Sequence, residues 1–110
     1  MRTRFIFLLA LTASLAAPAP AFSHDLSCEL GQTLSIAGNM LLDEAVILGW
    51  KGKIYRMMRV GTSTGAQRFE DRASGLILIS IPSKAMLLDG RRGEPVANEC
   101  RAGVGRRPAR

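Results

Sequence analysis

From Leu26 onward, apolar and polar residues alternate in short runs separated by turn-forming residues. Leu26, Cys28 and Leu30 alternate with Ser27 and Glu29, a period of two that places them on one face of a strand. Gly31-Gln32 turns the chain, and Leu34 and Ile36 then alternate with Thr33 and Ser35. Gly38-Asn39 and Asp43-Glu44 bracket the short apolar piece Met40-Leu41-Leu42. Residues 45–50 read as a strand, Lys51-Gly52-Lys53 as a hairpin turn, and 54–60 as the returning strand. A Gly-Thr-Ser-Thr-Gly loop over 61–65 leads to a short strand at 67–71 whose one apolar member is Phe69. Residues 76–81 are the most β-prone run, and Pro82 ends it. A strand at 85–88, a turn at 89–93 and a last strand at 94–101 complete the pattern.

About eight strands at this spacing predict an all-β fold, a barrel or a sandwich. Helix competes only over 41–48, where eight residues flanked by Gly38 and Gly49 are too few for more than one or two turns. Trp50, Tyr55, Met57 and Met58 read as core-filling residues. At 110 residues the chain supports one small domain.

The first 23 residues read as a secretory leader. Arg2 and Arg4 form its positive start, an apolar run covers 5–17, and Ala17-Pro18-Ala19-Pro20-Ala21 supplies small residues for cleavage after Ala21 or after Ser23. A run of that length rises about 20 Å as a helix, short of the roughly 30 Å of a bilayer core. Cys28 follows Asp25-Leu26-Ser27 rather than a lipid-attachment motif. The mature protein is therefore expected to be periplasmic or secreted, without a stable membrane anchor. Export gives meaning to Cys28 and Cys100, the only cysteines, which stand near the two ends of residues 24–101. In an oxidising compartment their obvious partners are each other.

The formal charge of +6 suggests a polyanionic partner until the charges are located. From His24 to Cys100 nine cations balance nine anions, so the excess lies in Arg2 and Arg4 and in Arg101, Arg106, Arg107 and Arg110. Residues 102–110 read as a disordered basic tail. A neutral body with one Trp and one Tyr offers no nucleic-acid platform. Catalytic chemistry is equally thin. His24, the single histidine, sits at the start of the domain; metal-ligand spacing and phosphate-binding glycine loops are missing. The adjacent pairs Asp43-Glu44 and Glu70-Asp71 would point to opposite faces of a strand. The residues predict a binding protein with no catalytic site, no metal and no cofactor.

Cys28-Glu29-Leu30-Gly31, Leu34-x-Ile36 and Leu42-Asp43-Glu44-Ala45, in that order, resemble the opening of the bacterial inhibitors of c-type lysozyme, the membrane-bound and periplasmic forms. Residues 64–70, Thr-Gly-Ala-Gln-Arg-Phe-Glu, are similar to that family's Ser-Gly-x-x-Tyr segment. Met86-Leu87-Leu88-Asp89-Gly90 and Asn98-Glu99-Cys100 are similar to its closing strands and second cysteine. The resemblance covers about residues 27 to 101. It implies a small antiparallel β-barrel closed by a Cys28–Cys100 disulfide, with a c-type lysozyme as protein partner.

In that family a Ser hydroxyl and a Lys amine enter the lysozyme cleft and engage its two catalytic carboxylates. An ammonium pairs with an ionised carboxylate, and a hydroxyl can serve a protonated one. By resemblance, Thr64 with Gly65 takes the Ser-Gly position, and Lys84 is the candidate amine. The match departs in detail. Thr64 adds a methyl, one extra residue separates Gly65 from Phe69, Phe69 stands for Tyr, and Ala85 rather than Gly follows Lys84. Arg68 and Arg72 are candidate contacts at the rim, or edge-strand charges that discourage pairing between sheets. Two other classes of function compete: an envelope binding module for another ligand, and attachment to an anionic surface through the Arg-rich tail.

Overall fold

The computed structural model describes residues 22–102. Eight strands follow one another: β1 (His24–Ser27), β2 (Thr33–Ala37), β3 (Ala45–Trp50), β4 (Lys53–Val60), β5 (Gln67–Asp71), β6 (Leu76–Ile81), β7 (Lys84–Asp89) and β8 (Glu94–Ala102). Each pairs antiparallel with the next, and β8 returns to β1, so the sheet closes into a barrel.

The alternation read from the sequence decides which side chains point inward. Leu34 and Ile36 of β2, Val46 and Leu48 of β3, Met57 of β4, Leu78 of β6 and Leu87 of β7 are fully or almost fully buried. Among the described residues Phe69 is the one fully buried aromatic ring, and it sits in β5. An eight-stranded barrel has an interior that side chains can just fill, which suits a core of aliphatic residues around a single ring. The turns follow local chemistry. Lys51 and Gly52 both have positive φ, the backbone of a two-residue hairpin loop, and Trp50 pairs with Lys53 across it.

The seam between β1 and β8 is short. Its register comprises Leu26 opposite Ala102 and Ser27 opposite Arg101. The next pair is Cys28 and Cys100, and these form the disulfide. The bridge continues the seam covalently where β1 ends.

Two readings are corrected. Leu30 does not continue the first strand: Glu29–Gly31 form a 3-10 turn in which Leu30 has φ +60 and is 98% exposed. The Cys28–Cys100 bridge stops β1 at Ser27, and the Cys28 N–H donates to the Gln32 carbonyl to close the turn. Met58 does not share the core expected for both methionines: adjacent strand residues face opposite ways, so Met57 is buried and Met58 is 45% exposed. Trp50 and Tyr55 are partly buried and pack against the core. Residues 1–21 of the expected leader (1–23) and residues 103–110 of the expected tail (102–110) lie outside the described residues.

Candidate functional site

The antiparallel order brings the start of β1, the end of β8 and the connections at 38–44, 61–66 and 82–83 to one end of the barrel. A cavity of about 550 Å³ opens there, within the range of pockets that receive ligand or partner groups. Leu26, Met40, Leu41, Ile81 and Ala85 give it apolar walls, and Gln67, Ser80 and Lys84 add polar groups.

Both elements of the predicted site reach this mouth. Gly65 and Lys84 line the cavity. Gly65 has φ +79, a left-handed conformation that suits glycine and folds the 61–66 loop back on itself. Thr62 donates its hydroxyl to the Ala66 carbonyl at 2.7 Å, and the Thr64 hydroxyl oxygen lies 3.5 Å from the Ala66 N–H. Thr64 is thereby carried at the exposed tip of a loop braced from within.

Lys84 opens β7 just after Pro82-Ser83. Its Nζ donates to Glu99 Oε1 at 2.6 Å, and Arg101 donates to Glu99 Oε2 at 3.0 Å. Lys84, followed by Arg101, holds the Glu99 carboxyl below the usual carboxylate range. Glu99 stands beside Lys84 because Ala85 is opposite Cys100 and both are buried, which turns their neighbours Lys84 and Glu99 to the same outer face; just beyond, Leu87 is opposite Ala97, which leaves an extra residue in β8. Glu99 has φ +51 within that bulge, and its N–H donates to Asn98 Oδ1 at 2.9 Å.

The other side of the mouth is fixed by Arg59, whose side chain has the same strand parity as Met57. Its guanidinium donates to the carbonyls of Asp43 at 2.9 Å and Met40 at 2.8 Å, and to Gln67 Oε1. It also lies over the Phe69 ring, 4.7 Å from the centroid. Asn39 Oδ1 accepts from the Leu41 and Leu42 N–H groups. The 38–44 connection is therefore a tied turn that presents Leu41 and Leu42 to solvent.

The predicted rim residues divide. Arg68 leans along the outer wall and pairs with Glu70 at 2.8 Å. Arg72 follows β5 at the opposite end of the barrel, so no single partner surface at the mouth includes it. Reading the sequence did not single out Glu99 or Arg59. Strand parity with Met57 was the available signal for Arg59; the register of β8 against β7 that sets Glu99 beside Lys84 has no comparable local mark. No three His, Cys, Asp or Glu residues group into a metal site among the described residues. No known protein family, curated protein or solved structure matches the chain.

Proposed function

We propose that this protein is an exported inhibitor of c-type lysozyme that acts by occluding the enzyme's cleft, without a reaction of its own. The observation that carries the proposal is that Gly65, next to Thr64, and Lys84 line one cavity although they stand in separate connections of the chain. The order of motifs along residues 27–101 adds to it, as does a closed barrel with bridged cysteines. A lysozyme requires one protonated and one ionised carboxylate. The Thr64 hydroxyl would serve the first and the Lys84 ammonium the second, with Lys84 exchanging Glu99 for the enzyme's carboxylate. Gln67, Ser80 and the apolar Leu41 line the same cavity as Gly65 and Lys84.

The test is lysis of bacterial cell walls by a c-type lysozyme in the presence of the oxidised, processed protein. Inhibition that saturates near equimolar ratio supports the proposal, and full lysis at a large molar excess overturns it. One observation favours the second reading, an envelope binding module for another ligand: the Lys84 amine is already paired with Glu99. That reading predicts an unimpeded lysozyme and a different saturable partner in envelope extracts.

A further inference from the structure

The cavity at the barrel mouth has its origin in the size of a few inward side chains. Strand pairing sets Gln67, Ser80, Ala85 and Cys100 side by side across β5 to β8, as one layer of the wall. The next inward layer, paired in the same way, holds Phe69, Leu78 and Leu87, all fully buried. Large side chains fill the barrel at that level. Ser80 and Ala85 stand where Leu78 and Leu87 stand one layer down, and they are too small to fill it, so the mouth keeps its space of about 550 Å³. Ser80 is the one buried polar residue among the described residues, at 9% exposed. Its hydroxyl has no hydrogen-bond partner among them, yet no partnerless side-chain oxygen is sealed from solvent, so the hydroxyl opens into the cavity that Ser80 lines. A hydroxyl held this far inside without a partner costs free energy that a polar ligand atom would recover.

We propose that this cavity binds a small anionic amphiphile of the fatty-acid type, a single apolar chain that ends in a carboxylate. The chain lies against Leu26, Met40 and Leu41, and Ser80 supplies a hydroxyl donor to the carboxylate. Gln67 adds a second donor: Arg59 donates to its Oε1, which leaves the amide nitrogen to give hydrogen bonds. The sign of the charge follows from the lining. No Asp or Glu lines the cavity, whereas Lys84 does. Lys84 shares Glu99 with Arg101, so two cations face one anion at the cavity's edge and the trio is net positive. The proposal goes beyond the lysozyme reading and does not rest on it, because the protein alone suffices to bind the ligand.

The experiment is titration of the disulfide-bonded protein with decanoate below its micellar concentration, read by calorimetry and by amide shifts in proton–nitrogen correlation spectra. Decanol and decyltrimethylammonium, with the same chain but no charge or the opposite one, are the controls. Decanoate is expected to bind saturably and about 10-fold tighter than either control, with shifts gathered at Leu26, Gln67, Ser80 and Ala85. Ser80→Leu, which continues the series of Leu76 and Leu78 and fills the space, is expected to abolish binding. Ser80→Ala keeps the space and removes the hydroxyl, and is expected to weaken binding about 10-fold. No saturable binding, shifts confined to the outer wall, or wild-type affinity in Ser80→Leu overturns the site. If Ser80→Leu does not fold, wild-type affinity in Ser80→Ala overturns it instead. Equal affinity for all three probes overturns the anionic class. Decanoate binding by a protein that leaves lysozyme unimpeded supports this site and overturns the lysozyme reading alone.

Discussion

Lys84 and Glu99 meet across the β7–β8 pairing with Nζ 2.6 Å from Oε1, and Arg101 holds the other carboxylate oxygen. One carboxylate thus serves two cations beside the mouth of the barrel. Lys84 also lines the cavity, so its amine meets the Glu99 carboxylate at the cavity's edge.

That pairing has a pH signature. The folded pKa of Glu99 lies below its ordinary value of 4.5, first because of the Lys84 hydrogen bond and then that of Arg101. A depressed folded pKa contributes stability that is fully present above the unfolded pKa and is lost as pH falls through the folded value. The wild-type protein is therefore expected to melt above Glu99→Gln near neutral pH, with the gap closing as pH drops below 4.5. Thermal melts from pH 7 to acid check this; a gap unchanged through the acid range contradicts the role given to the pair.

Thr64 and Lys84 are the groups assigned to a lysozyme cleft, and they touch little of the core. Thr64→Ala and Lys84→Ala are each expected to weaken inhibition by about 10- to 100-fold, the range of a central contact truncated to alanine. Arg72→Ala, at the far end of the barrel, is expected to leave it unchanged. Titration of lysozyme activity with each variant provides the comparison. Equal potency of all three would place the contact elsewhere.

The disulfide spans a sequence separation of 72 residues. Chain entropy alone puts its contribution at about 4 kcal/mol, a large share of the stability of a domain this small. Cys28→Ala with Cys100→Ala is expected to lower the melting temperature by roughly 20 °C, as is reduction of the wild type. Calorimetry of both forms measures it, and a fall of only a few degrees would show that the β1–β8 seam holds without the bridge.

Arg59 ties the 38–44 turn to β5 through Met40, Asp43 and Gln67. Arg59→Met keeps the stem over Phe69 and removes those donors, at an expected cost of about 1–3 kcal/mol. Amide exchange at Leu42 and Asp43, whose N–H groups donate to the Asn39 carbonyl, should accelerate more than exchange in β6. Uniform acceleration across the barrel would mean that Arg59 supports the fold as a whole rather than this turn.

The strands were legible because period-two alternation is a local property. Leu34 and Ile36, Val46 and Leu48, and Leu76 and Leu78 each declare a buried face without reference to the rest of the chain. The bridge was legible from the two cysteines, whereas the strand pattern left barrel and sandwich open. Leu30 misled because alternation continued past the place where the disulfide halts β1, and the backbone there turns left-handed. The site was only half visible. Thr64-Gly65 and Lys84 stood out as residue types, but the partner of Lys84 depends on the register of β8 against β7, a relation between two strands rather than a pattern in one. Arg59 carries no mark of its own in the sequence, being one of nine cations that balance nine anions in the body; inside the rim it finds two carbonyls, an amide and a ring to satisfy it.

The seam has a mechanical consequence. β1 enters and β8 leaves at the same end of the barrel, and Cys28 and Cys100 join them. Tension applied to the two ends of the chain runs through residues 22–28, one sulfur–sulfur bond and residues 100–102. Everything between the cysteines lies outside the load path. Reduction would remove the stop behind the short register of Leu26 and Ser27, and the barrel would unzip past it.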